Sequence, residues 1–327
     1  MTTTLESLSS AIREASASRD PQMQRTPLVH SPALSDLLGC RVLLKLEHLQ
    51  TTGSFKYRGA SNKVRLLSDA DRGAGVVTAS SGNHGQALAL AAQNAGVPVR
   101  VFASKAASPT KLAAIRGYGA ELELVDGSSY DAELAALRAA KEAGLTYVSP
   151  YNDLDIIAGQ GTLGLELLEP GERLDAVFLS VGGGGLAAGV GTALHSESPT
   201  TELIGCWPAN SPALLRALEL GYVHDVAESQ TLSDGTAGGV EEDAITLPIC
   251  SKVMGRKVAV SEAEIAAAMR TLADTERWMV EGAAGVALAG LANLREEMRG
   301  KTVAIVLCGR NISAAKFSEV LTNAGSL

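Results

Sequence analysis

In GVVTASSGNHGQALALAAQ, Gly75 to Gln93, a short β-branched run gives way to small polar residues and then to an alanine- and leucine-rich run of helical period. The pattern predicts a strand, a tight turn and a helix. It recurs on both sides. RVLLKLE (Arg41–Glu47), VRVFA (Val99–Ala103), ELELV (Glu121–Val125), DAVFLSV (Asp175–Val181), ELIGCWP (Glu202–Pro208) and TVAIVLC (Thr302–Cys308) are candidate strands, while AELAALRAAKEAG and EIAAAMRTLADTE are candidate helices. Strands alternating with helices predict an α/β fold of parallel sheets covered by helices on both faces. Three or four strand-helix units fall between about Gly73 and Pro150, and a second series resumes near Asp175. No low-complexity linker separates them, so two open twisted sheets are expected to pack directly, with a cleft between.

The 327 residues suffice for two such units without staples. No apolar run reaches the roughly 18 to 20 residues of a membrane span. The opening MTTTLESLSSAIREA lacks the basic-then-apolar order of an export signal, so a soluble, cytoplasmic protein is expected. Cys40, Cys206, Cys250 and Cys308 lie far apart with no CxxC pair, which argues against a zinc site and a disulfide scaffold. A net charge of -8 without a basic block argues against nucleic acid and anionic membrane as partners. A small molecule remains.

Three strand ends carry candidate chemistry. SSGNHGQ, Ser80 to Gln86, reads as an anion seat at a helix N-terminus, or simply as an N-cap, for which Ser and Asn are preferred. SVGGGGLAAG, Ser180 to Gly189, holds four consecutive glycines, which suggest backbone wrapped closely around a phosphate. Gly182, Gly184 and Ala187 also fit GxGxxA, but a dinucleotide site wants an acid at the end of the next strand. ELIGCWP has Glu202 at its start and Trp207 near its end, against nicotinamide chemistry. VLCGRNIS, Val306 to Ser313, puts Cys308 at a strand end, as an inert core thiol or a ligand contact. In SFKYRGA, Ser54 to Ala60, Lys56 is either an ordinary snorkelling lysine or, beside two anion seats, a Schiff-base amine of lowered pKa.

Taken together, TGSFKYRGA, SSGNHGQALA, AGQGT, GGGG and the terminal CGRN resemble the serine/threonine dehydratase and serine racemase family of pyridoxal-phosphate enzymes, fold type II, over nearly the whole chain. The resemblance implies a tryptophan-synthase-β-like architecture with the cofactor in the inter-domain cleft. Residues 1–68 and 153–327 would form the large cofactor-binding domain and residues 72–152 a small mobile domain on the substrate side. Lys56 would bind the cofactor covalently, with Phe55 beside it. Asn83 would bond the pyridine 3-oxygen, and the backbone of Gly182, Gly183, Gly184, Gly185 and Leu186 would hold the phosphate. The substrate carboxylate would sit near Ser80, Ser81, Asn83 and His84. Glu281, whose alternative role is a helix N-terminal acid, would stand behind the cofactor. The implied reaction is elimination of the β-hydroxyl of a 3-hydroxy amino acid to a 2-oxo acid and ammonia. The rival is racemisation, for which Ser81 would handle the second proton.

Departures from the family pattern carry their own expectations. Cys308 stands where relatives place Ser or Thr opposite the pyridine nitrogen. In WPANSPA, Trp207 and Ala213 replace the acids of the family's divalent-cation run, so no metal of that kind is expected. Tyr151, in PYND, and the open DGTAGG stretch with Gly238 suggest a β-substituent larger than methyl, as in phenylserine. DGTAGGVEE and EGAAGV are similar to a dehydratase subgroup associated with hydroxyectoine utilisation. For 3-hydroxyaspartate, with its second carboxylate, no arginine stands out, and Arg58 and Arg116 are the two left open. SPTK, Ser108 to Lys111, matches SxxK of serine acyl-enzymes without their partner motifs. With one helix after NIS, no regulatory domain is expected and a catabolic role fits; the assembly expected is a homodimer or homotetramer.

Overall fold

The computed structural model describes residues 4–322. In chain order its strands are β1 Leu28–His30, β2 Arg41–Lys45, β3 Val76–Ala79, β4 Val99–Ser104, β5 Glu121–Val125, β6 Thr146–Tyr147, β7 Ala176–Ser180, β8 Glu202–Pro208, β9 Lys257–Val260 and β10 Thr302–Val306. One sheet has the order β1-β2-β10-β7-β8-β9 and the other β5-β4-β3-β6. All seven strands expected from the sequence form. So do the helices expected after SSG, at AELAALRAAKEAG and at EIAAAMRTLADTE, as Asn83–Ala95, Ser129–Ala143 and Glu262–Glu276.

Neighbouring strands run parallel except at one edge, where β1 pairs antiparallel with β2 and Leu28 stands opposite Lys45. The expectation of parallel sheets is corrected there: an edge strand of an otherwise parallel sheet needs no crossover on its outer side. β2 lies beside β10, with Arg41 opposite Thr302, so early and late parts of the chain share the larger sheet. The smaller sheet comes wholly from residues 76–147. Strand β7, AVFLS, is buried at every position, as a strand covered on both faces must be.

The motifs SFKYRGA and AGQGT meet in a helix crossing. Gly59, in helix Lys56–Leu66, and Gly159, in helix Leu154–Leu168, face each other so closely that a Cβ on Gly159 would lie 2.5 Å from the Arg58 carbonyl oxygen. Only glycine permits this approach, in the helix that begins at Lys56.

Arg58 is fully buried. Its guanidinium donates to both oxygens of Glu47 and both of Glu166, each at 2.8 Å. Lys45 Nζ completes the set, donating to Glu166 at 2.6 Å and to the Thr26 carbonyl at 2.7 Å. Two cations and two carboxylates thus neutralise one another away from water, the condition under which buried charge is tolerated. Arg58 is therefore not available to a substrate carboxylate, which closes that alternative, and Arg116 lies exposed on helix Pro109–Gly117.

Candidate active site

A cleft of about 740 Å³, its open mouth included, lies at the carboxyl ends of β7 and β10, where open parallel sheets bind ligands. Phe55, Lys56, Asn83, Tyr151, the glycine loop, Gly238, Glu281 and Cys308 line it. Lys56 is part-buried, its Nζ donating to the Pro150 carbonyl at 2.8 Å and lying 5.3 Å from the Phe55 ring centroid. Burial pushes its pKa down from 10.5 to about 8, against the opposite pull of Glu281. Hydrogen bonds staple the surrounding loops together: Phe55 N to the Cys308 carbonyl at 3.1 Å, Arg310 N to Gly53 at 2.9 Å, and Glu281 N to Gly309 at 3.1 Å.

The four glycines join β7 to helix Gly185–Glu197, which has no side-chain N-cap. Gly184 has φ 91°, a left-handed conformation that favours glycine, and a Cβ there would lie 2.6 Å from Leu214 Cδ2. A Cβ on Gly183 would strike the Tyr151 ring. The N-H groups of Gly182 to Leu186 find no acceptor among the described residues. From behind, Thr246 Oγ1 donates to the Gly183 carbonyl at 2.7 Å and Cys250 Sγ to the Gly184 carbonyl at 3.7 Å. A row of free N-H groups at a helix N-terminus is a seat for an anion.

The SSGNH turn is a second such seat. Helix Asn83–Ala95 begins after Gly82 without a side-chain cap, so the N-cap alternative fails and the first N-H groups stay open. Asn83 instead reaches across the cleft: its Nδ2 donates to Glu281 at 2.9 and 3.2 Å, and its Oδ1 accepts from Asn311 Nδ2 at 2.6 Å. The Asn311 N-H also donates to Glu281 at 3.2 Å. Burial, reinforced by Asp234, raises the Glu281 pKa to about 7, while the bonds from Asn83 and Asn311 and the charge of Lys111 oppose the rise. Beside it the Cys308 thiol accepts from Ser180 Oγ at 3.5 Å; burial foremost, then Glu281, raises its pKa far above the ordinary thiol range. This thiol is neutral.

The structure brings Lys56, Phe55, Asn83, the glycine loop, Tyr151, Gly238, Glu281 and Cys308 to one cleft. Ser80, Ser81 and His84 are not in its wall. Ser80 Oγ accepts from Gly82 N at 3.2 Å, and Ser81 is part-buried with no side-chain hydrogen bond among the described residues. The His84 side chain is corrected as a substrate contact: it is 2% exposed, with Nε2 on the Val148 carbonyl at 3.1 Å. Burial, with Lys56 nearby, lowers its pKa to about 3, so the ring is neutral. The Tyr151 ring backs the glycine loop, and its hydroxyl accepts from Glu241 N at 2.8 Å. Asn311 and Thr246 were missed by sequence reasoning; the polar residue after CGR was a visible signal for the first. Lys111 of SPTK pairs with Asp234 across the cleft, which accounts for it without acyl-enzyme chemistry.

The chain belongs to the pyridoxal-phosphate dependent enzyme family, which it matches over residues 20–309. It is 39% identical over 311 residues to an L-threonine ammonia-lyase of Thermotoga maritima, covering 95% of this chain and 77% of that protein. It is 37% identical over 323 residues to a phenylserine dehydratase of Ralstonia pickettii, 98% of each. Among solved structures, the processed threonine deaminase isoform 2 of Solanum lycopersicum superposes with a TM-score of 0.91 at 30% identity, over 98% of this chain and 95% of that one. Maize serine racemase gives 0.89 at 28%, over 98% and 97%. The fold is that of type II pyridoxal-phosphate enzymes. The residues present fit this cofactor: acceptor-free N-H groups suit its phosphate, the cleft amine suits its aldehyde, and Asn83 and Cys308 offer polar atoms between them.

Among the described residues no cluster of His, Cys, Asp and Glu can hold a metal, and no helix is long and apolar enough to cross a membrane. All four cysteines are free and buried.

Proposed function

We propose that this chain is a pyridoxal-phosphate-dependent dehydratase, an ammonia-lyase that removes the β-hydroxyl of a 3-hydroxy amino acid. The observation that carries the reading is Lys56, an amine of lowered pKa in one cleft with two uncapped helix N-termini. The glycine loop and Leu186 hold the phosphate, Asn83 and Cys308 contact the ring, and Phe55 packs beside it. The N-H groups opening helix Asn83–Ala95 hold the substrate carboxylate. When bound, the cofactor supplies the electron sink that makes the substrate Cα-H acidic. Lys56, oriented by the Pro150 carbonyl, takes that proton; this needs a neutral amine, and its lowered pKa makes that form far more available near neutral pH than in an ordinary lysine. Glu281 holds Asn83 in place through the latter's amide. As the Cβ–O bond breaks, the hydroxyl takes up a proton and leaves as water, and the resulting enamine, once released, tautomerises and hydrolyses to a 2-oxo acid and ammonia.

In this reading residues 1–68 and 153–327 form the cofactor-binding unit, and residues 72–152 close over the substrate. The Lys111–Asp234 pair, one partner from each, supports such a closure. Substrates of threonine or serine type fit. Exposed Gly238 and Gly239, where an added Cβ meets nothing within 4 Å, favour bulkier β-substituents such as phenyl. No divalent cation of the family type is needed, because Trp207 is buried where the first acid would stand. Four free thiols fit the cytoplasm, and a homodimer or homotetramer is the ordinary assembly. Racemisation is the second reading, favoured by the unpartnered, part-exposed Ser81 hydroxyl. A panel of 3-hydroxy amino acids, with 2-oxo acid and ammonia assayed separately from chirality, tests both. Inverted substrate without ammonia would overturn the dehydratase.

A further inference from the structure

Glycine peptides rotate cheaply because no Cβ restricts them, so a four-glycine loop does not by itself aim its N-H groups. Something must fix the peptide planes. In a trans peptide the carbonyl points opposite to the N-H of the next residue, so holding one direction sets the other. The Gly183 carbonyl accepts from Thr246 Oγ1 at 2.7 Å, and the Gly184 carbonyl from Cys250 Sγ at 3.7 Å and Ala188 N at 2.8 Å. Thr246 and Cys250 lie one turn apart on helix Thr246–Val253, both fully buried, so one helix face backs the loop. We propose that Thr246 is a positioning residue for the cofactor phosphate: its hydroxyl pins the Gly183 carbonyl from behind and so turns the Gly184 N-H into the cleft. Cys250 plays a lesser part, because a thiol is a weak donor and Ala188 N already holds the Gly184 carbonyl.

The proposal rests on the reading of the glycine loop as the phosphate seat, and the test separates the two. The apo chain is titrated with pyridoxal phosphate and with pyridoxal, and the ratio of the two Kd values measures preference for the phosphate. Wild type should prefer the phosphate form strongly. Thr246→Val, near in shape but without the hydroxyl, should lose about tenfold of that preference, the scale of one buried hydrogen bond. Its pyridoxal affinity should stay unchanged. Thr246→Ser should restore the preference, and Cys250→Ala should change it less than about threefold. A merely structural role would weaken both ligands together and leave the ratio constant. Thr246→Ala, which adds no apolar bulk, repeats the test if the valine variant fails to fold. Thr246→Val or Thr246→Ala with the wild-type ratio overturns the pinning while leaving the seat intact. A wild-type chain that binds both ligands equally overturns the seat itself.

Discussion

Lys56 should behave as an amine of pKa about 8 in the apo chain. An ordinary lysine at 10.5 leaves about 0.03% of its amine neutral at pH 7, whereas one at about 8 leaves about 10%, roughly 300-fold more base and nucleophile. Burial sets the direction; Glu281 opposes it. The assay is competitive acetylation of the apo chain with acetic anhydride from pH 6 to 11, with surface lysines as internal reference and the Lys56 peptide quantified by mass spectrometry. A midpoint near 8 is expected. Glu281 favours the ammonium, so Glu281→Gln should move the midpoint lower still. A Lys56 midpoint above 10, or an upward move in Glu281→Gln, would refute the electrostatic account. Stability follows the same shift. Between about pH 8 and 10.5 the unfolded chain keeps the proton that the folded chain has lost, so Lys56 makes apo stability rise with pH through that window. Below it the buried ammonium is a burden, and Lys56→Met should raise the apo melting temperature at pH 7.

Three other perturbations follow from the geometry. Arg58→Met strands Glu47 in the interior and leaves Glu166 to Lys45 alone, and should cost about 3 to 5 kcal/mol in urea unfolding of the apo chain; a loss below about 1 kcal/mol would contradict the network's role. Cys308→Ser and Cys308→Ala should alter the cofactor absorbance band and turnover, since each changes the donor offered to the pyridine nitrogen, and two unchanged variants would sink that assignment. Activity should survive exhaustive chelation; loss with EDTA and return with magnesium would show that other oxygens replace the missing acids.

Strands were legible where mostly apolar runs are long enough to be buried on both faces, as in AVFLS. β1, β6 and β9 were not, because two to four residues at a sheet edge or end leave too little periodic signal. The glycine loop and Lys56 announced themselves by composition and flanks. What backs them did not: Thr246 meets Gly183 across 63 residues, and Glu281 meets Asn83 across 198. Such partners depend on tertiary approach, which no local pattern encodes. The inward turn of His84 and the capture of Arg58 by two glutamates are of the same kind. Each residue type was compatible with a ligand, and packing decided otherwise.

The loop that leads into Lys56, residues 53–55, is hydrogen-bonded to Cys308 and Arg310, and β2 finds its inner neighbour in β10. During synthesis, then, the amine emerges some 250 residues before the segment that fixes it in place. Those long-range closures come late and slowly compared with the local pairing of β3 and β4. A ribosome-bound chain can assemble its smaller sheet while the larger one still lacks its central strand. Vitamin loading is thereby tied to the arrival of β10, and chains truncated before β10 should neither take up the cofactor nor expose an active amine in a finished site.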